Sequence, residues 1–312
     1  MAFDGGVIQL RLIVPVERAQ AVFEGLGARP GVAHLMAVPT RATVPAGEVL
    51  VCDVAREAAN EVIEWLQELD VHRDGAIVVS AVDSVISDAA AAAEAAAPGH
   101  AGDALVWEQV EAHAREHAML TSSFLVFMSI ATVIAGVGIL LDAPILIVGA
   151  MVVGPEYGPL AALCVSVVRR RRRPSLHAAG TLAVGLAVAA AAALLSTIAF
   201  RVSGLAPDDY DLGARELTAF IARPDGMALV VAVLAGIAGM LSLTQGRSGA
   251  LIGVLVSVTT IPAAANVGVA AAYGAWSEVG GAGAQLGLNL AGLLVAGVVT
   301  LVVQARTTSS AP

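Results

Sequence analysis

The sequence predicts an α+β domain of ferredoxin-like (βαββαβ) order followed by an all-α membrane domain of six helices. Three observations predict it: the composition, the split of charge along the chain, and a series of long charge-free runs. Of 312 residues, 57% are hydrophobic and only 14% charged, with a mean hydropathy of +0.81. Soluble domains have roughly 45–50% apolar and about 25% charged residues. Residues 1–118 carry 18 of the 26 acids and 7 of the 17 bases, a net of −11. Residues 119–312 carry 8 acids and 10 bases, a net of +2. An acidic, water-soluble domain thus precedes a nearly uncharged one.

Residues 7–14 (Val-Ile-Gln-Leu-Arg-Leu-Ile-Val) alternate as a strand does, and 16–27 form a helix that ends at Gly25 and Gly27. Strands are predicted at 31–38 and 48–54, separated by a turn region with Pro39, Pro45 and Gly47. A helix follows over 55–69, with Ala58, Val62, Trp65, Leu66 and Leu69 near one face, and a last strand runs over 75–82. This is the split βαβ order, assigned to residues 1–88. The Ala-rich stretch 89–97, ended by Pro98-Gly99, is expected to be a linker, and 103–118 a polar juxtamembrane helix. On that helix His113 and His117 stand at i, i+4, a spacing able to hold a metal. Their neighbours Glu111, Arg115 and Glu116 favour a solvated face instead. His34, His72 and Cys52 show no ligand spacing, and Cys52 and Cys164 are not expected to pair, so neither a metal site nor any cofactor is expected.

A helix needs about 20 mostly apolar residues to cross the hydrocarbon core. Counting between charges places spans at about 121–141, 144–168, 176–200, 226–245, 250–273 and 284–304, within a membrane domain of 119–306. Within the second, Glu156 is the single charge. The start of the chain lacks a basic region followed by an apolar one, so no cleaved signal peptide is expected. Arg169 to Arg173 are five consecutive arginines between spans 2 and 3, and the positive-inside rule places that loop in the cytoplasm. Both termini are then cytoplasmic, the acidic 201–225 loop lies outside, and the short 245–249 turn lies inside. The expected location is the plasma membrane, with anionic lipid headgroups as partners of Arg169–Arg173.

Span 2 contains Gly154-Pro155-Glu156-Tyr157-Gly158-Pro159, two prolines and two glycines in six residues at its middle. Proline removes an N–H and glycine lets the chain leave helical geometry, so an interruption is predicted there. Span 5 contains Ser257, Thr259, Thr260, Pro262 and Asn266, and a second interruption is predicted at Pro262. Each lies in the second span of a three-span half, the arrangement of inverted-repeat transporters with a midplane site. The candidate binding residues are Glu156, Tyr157, Ser257, Thr259, Thr260 and Asn266; the helix-breaking ones are Gly154, Pro155, Gly158, Pro159 and Pro262.

Ile147-Val-Gly-Ala-Met-Val-Val-Gly-Pro155 with Gly158-Pro159, and Leu251-Ile-Gly-Val-Leu-Val-Ser-Val-Thr-Thr-Ile-Pro262, resemble the hallmark segments of a prokaryotic membrane family, domain of unknown function 389. The resemblance covers about residues 120–270. Glu156-Tyr157 stands where members often carry apolar residues. The resemblance implies an architecture and no activity.

The leading expectation is a transporter or channel for an ion or small solute, with proton coupling through Glu156 and a homo-oligomeric assembly. The alternative is a membrane-anchored sensor or scaffold whose cytoplasmic domain binds a ligand or partner. Enzyme chemistry is not expected, because HExxH, GxSxG and Asp/His clusters are missing from the spans. A domain of net charge −11 also disfavours nucleic acid, whose phosphates require positive surfaces.

Overall fold

The computed structural model describes residues 3–4, 6–82, 84–97, 105–207, 218, 226–245 and 250–309, with backbone alone at 3–4, 40–41, 117, 245, 250–259 and 308–309. The chain divides into two compact units, residues 1–110 with 304–312, and residues 111–303.

In the first unit the main elements follow the order β–α–β–β–α–β. After the short β1 (Phe3–Asp4), strand β2 (Val7–Val14) buries Ile8, Leu10, Leu12 and Val14 and turns Gln9 and Arg11 outward. Alternation of period two is what a strand with one covered face requires. The sheet runs β3 (Val32–Thr43), β4 (Ala46–Ala55), β2, β5 (Ala76–Ala81), every neighbour antiparallel. Short β6 (Ser84–Val85) pairs with β1. Helix α1 (Val16–Gly27) contributes Ala19, Val22 and Leu26 to the core, and α2 (Arg56–Glu68) contributes Ala59, Val62, Ile63 and Leu66. These spacings form one helical stripe each. Between α2 and β5 lies the single turn α3 (Val71–Asp74).

The expected turn region around Pro39 is in fact strand. β3 and β4 extend to meet in a hairpin at 44–45, and Pro39 falls in a register irregularity of β3 between Val38 and Arg41. β3 is an edge strand, where a missing N–H forfeits least. The Ala-rich stretch expected as a linker is also ordered. It forms α4 (Asp88–Ala96), N-capped by Ser87, whose Oγ accepts from the amides of Ala89 and Ala90. Ala90 and Ala93 are buried, and α4 packs on β3 and β4. Leu10→Ala should destabilise this unit by about 2–5 kcal/mol through the cavity left behind. Hydrogen exchange of the 7–14 backbone should accelerate accordingly, while Gln9→Ala on the open face should leave it unchanged.

Helix α5 (Trp107–His117) opens the second unit from Glu111 onward. The rest of that unit is helical: α6 (Ser122–Leu140), α7 (Pro144–Val153), α8 (Tyr157–Val168), α9 (Arg172–Val202), α10 (Gly226–Gln245), α11 (Ala250–Ala272) and α12 (Trp276–Ser309), the last to residue 303. Among the described residues four helices, α6, α9, α10 and α12, are long and apolar enough to cross a membrane, each holding an 18-residue stretch of mean hydropathy 2.3. The pair α7 and α8, bent by 56° at its break, makes a fifth if counted as one span. This is a membrane-spanning protein. Large apolar side chains such as Ile145 and Leu176 face outward, while small residues and Thr132 occupy the interior.

Small residues inside let the helices approach closely. A side chain at Gly185 would run into the ring of Phe124, and one at Gly268 into the carbonyl of Ala190. The Thr132 hydroxyl donates to the Ala189 carbonyl at 3.0 Å, tying α6 to α9.

The interruption predicted at Pro262 is not there: α11 continues through it as helix. Ile261, Ala263, Ala264 and Ala265 are each at most 1% exposed, so neighbouring helices grip the backbone on both sides of the proline. Packing of that kind holds a helix through one lost hydrogen bond. Gly158 and Pro159 likewise do not break the chain but lie in the first turn of α8. There the amide missing from proline has no intrahelical acceptor to lose.

Candidate functional site

The break between α7 and α8 is made by three residues. Gly154 leaves the helix in an extended conformation (φ −66, ψ 125), Pro155 follows, and Glu156 starts the next helix. A Cβ on Gly154 would lie 2.5 Å from Oε2 of Glu156 and 2.9 Å from Cγ1 of Ile261. Glycine is therefore required by the approach of α11 and of the carboxylate itself.

Glu156 is fully buried. Its Oε1 accepts a hydrogen bond from the hydroxyl of Thr260 at 2.8 Å, joining the break to α11. Of the residues predicted from the sequence to share a site, these two are brought together. Asn266 is buried on the same helix, six residues beyond Thr260 and so about 9 Å along the axis. The side chains of Ser257 and Thr259 lie outside the described residues. Tyr157 turns away: its hydroxyl donates to the carbonyl of Gly239 on α10 at 2.7 Å. The space beside it, against Cys164 and Leu293, is only about 10 Å³. Glu156 itself is shut off from solvent, its carboxylate held against Thr260.

Several polar contacts escaped the sequence reading. Gln285 and Asn289, both buried on α12, are joined by a 3.1 Å bond between their amides. Two amides at i, i+4 in a charge-free run were the available signal. At the junction of α8 and α9, the carboxylate of Glu111 receives Arg169 at 2.8 Å and Arg171 at 2.9 Å, with Arg115 at 3.9 Å. The backbone turn there places Arg170 in the left-handed region (φ 54), and the amides of Arg170 and Arg171 return to the carbonyls of Val167 and Ser166. That is the hydrogen-bond pattern of a Schellman helix end.

In the first unit His34 is not isolated. Its Nδ1 lies 2.7 Å from Oδ2 of Asp53 and its Nε2 2.7 Å from Oγ of Ser87. A carboxylate only accepts, so Nδ1 donates to Asp53, and with the ring neutral Nε2 accepts the Ser87 proton. The order repeats the Ser-His-Asp relay of hydrolases. The Ser87 oxygen, however, already accepts two amide hydrogens as the cap of α4, so the relay clasps that helix to β3 and β4. Nearby Cys52 sits in the core, and burial, then the charge of Asp53, pushes its thiol up to about 12, which keeps it protonated and unreactive. Among the described residues no cluster of three His, Cys, Asp or Glu could hold a metal. His117, one of the i, i+4 pair, has its side chain outside them.

Comparison with known proteins finds similarity over the break and the helices that follow it. A distant relative is the uncharacterized protein MJ0678 of Methanocaldococcus jannaschii, 26% identical over 165 residues, 53% of this chain. The match spans 49% of the relative's own length. No solved structure matches the chain. Residues 151–295, from the end of α7 into α12, match the model of the family described as Domain of unknown function (DUF389).

Proposed function

We propose that the protein is a transporter or channel for an ion or small solute, with its site where the α7–α8 break meets α11. The observation that carries this reading is Glu156, a fully buried carboxylate at a helix break, bonded to Thr260 of the facing helix. An ionisable group near mid-bilayer costs roughly 2.5–3.5 kcal/mol on the lenient insertion scale, and such groups usually mark ion or proton pathways. A broken span supplies backbone groups that a cation or solute can use when the break opens. In the closed state the Thr260 hydroxyl takes that role for the carboxylate. Separation of α8 from α11 would release Glu156 to a substrate or a proton, and Asn266 lies further along the same helix.

The proposal includes six spans, with α7 and α8 together as one broken span and α11 as a continuous one. It treats α6–α9 and α10–α12 as two halves of opposite orientation whose second spans meet at the Glu156–Thr260 bond. It also gives the first unit a ferredoxin-like fold in the cytoplasm, both termini cytoplasmic, the plasma membrane as location and a homo-oligomeric state. The arginine run supports that orientation. Single cysteines at 171 should therefore resist a membrane-impermeant thiol reagent added outside, and cysteines at 210 should react. The reverse pattern would invert the assignment.

The existence of a separate α+β unit with its own core favours one second reading, a membrane-anchored sensor or scaffold. Purified protein in liposomes separates the two. Flux of protons, monovalent cations or small solutes above that of protein-free liposomes supports permeation. No flux for any of them favours the sensor.

A further inference from the structure

Where α5, the end of α8 and the start of α9 converge, a pocket of about 490 Å³ opens within the second unit. Its inner wall is aliphatic, formed by buried Ala114, Ala118, Val165 and Ala178. Its polar side has the opposite character. Arg115, Arg169, Arg171 and Arg173 all line it, and Glu111 is the one acidic group lining it among the described residues. Four guanidinium groups around one carboxylate leave a large positive excess. Glu111 is spent on Arg169 and Arg171, with Arg115 at the limit of ion-pair distance. Arg173 and Pro174, which also line the pocket, belong to the first turn of the 31-residue α9, where the helix dipole favours an anion.

Nothing in the permeation reading uses this pocket, and the pocket does not depend on that reading. A hydrocarbon-lined wall beside a cluster of forked donors matches a molecule with an acyl chain and a phosphate. Guanidinium groups bind phosphate oxygens bidentately. The pocket also lies at the ends of apolar helices, the depth at which lipid headgroups sit. We infer that it binds one acidic phospholipid, with the phosphate among Arg169, Arg171 and Arg173 and an acyl chain along Ala118 and Val165. Glu111 is the internal anion that the phosphate competes with: it holds Arg169 and Arg171 in place when the lipid is absent and gives up part of their charge when it arrives.

The test is native mass spectrometry of the full-length protein in detergent, with phosphatidylglycerol, phosphatidylcholine or inorganic phosphate added. One phosphatidylglycerol should be retained per chain in preference to phosphatidylcholine, and equimolar inorganic phosphate should not displace it. Arg173→Gln should weaken retention about fivefold, the effect of one basic residue near a lipid phosphate. Arg170→Gln removes the same charge three residues away, at the end of α8, but does not line the pocket, so retention should fall less than twofold by the same argument. Glu111→Gln should tighten retention, because it removes the competing carboxylate. Melting curves for each variant identify any that fail to fold, and the exposed Arg170 and Arg173 make that pair the decisive one. Equal retention of the two lipids, equal losses in Arg170→Gln and Arg173→Gln, or displacement by inorganic phosphate would each overturn the proposal. The last of these would make the ligand a soluble phosphate.

Discussion

Gly154→Ala is expected to destabilise the membrane unit by about 1–3 kcal/mol, the usual cost of forcing atoms into a filled interior. The added Cβ would meet Oε2 of Glu156 at 2.5 Å and Ile261 at 2.9 Å, and neither can move freely. The carboxylate is anchored by Thr260, and Ile261 is fully buried on α11. Backbone strain plays no part, because φ of −66 suits alanine. The loss should show as a lower melting temperature in detergent. Two comparisons isolate the cause. Gly149→Ala, on the exposed side of α7 with nothing within 4 Å of the new Cβ, should be neutral or slightly stabilising. In a double-mutant cycle, Glu156→Ala should relieve part of the Gly154→Ala cost, because it removes one of the two obstructing groups. Full additivity would mean that the carboxylate does not sit against Gly154.

What the sequence made legible follows the range of the forces involved. Strand β2 was readable because Ile8, Leu10, Leu12 and Val14 alternate with Gln9 and Arg11, a local pattern with one solution. The break at Gly154-Pro155 was readable because both residues oppose helix by their own covalent structure. Pro262 has the same chemistry and was misjudged, since the packing around Ile261 and Ala263–Ala265 that carries the helix through is tertiary. The helix at Asp88–Ala96 was missed although its signal was local: Ser87 is a cap and alanine the best helix former.

Most long-range pairings left no trace. Glu111 and Arg169 are 58 residues apart, and His34 lies 19 and 53 residues from Asp53 and Ser87. Tyr157 bonds a backbone carbonyl 82 residues away, an acceptor that every residue offers. The bond between Thr260 and Glu156 spans 104 residues and was anticipated only because both stood at mid-span in an otherwise apolar run. In a membrane, the cost of burying polar groups makes each one informative before its partner is known.

The central claim is that Glu156 is the titrating group of a permeation site. The most direct measurement is solute or proton flux into proteoliposomes as a function of pH, for the wild type and Glu156→Gln at matched reconstitution. Glutamine keeps the size of the side chain and can still accept the hydroxyl proton of Thr260, so melting temperature and oligomeric state should be preserved. The wild type should show a pH-dependent flux, and Glu156→Gln should reduce it by about tenfold or more, as expected for loss of a proton-transferring group. Whatever flux remains should no longer vary with pH. A variant with normal flux and an unchanged pH profile would contradict the account and leave Glu156 as a structural tie between the break and α11.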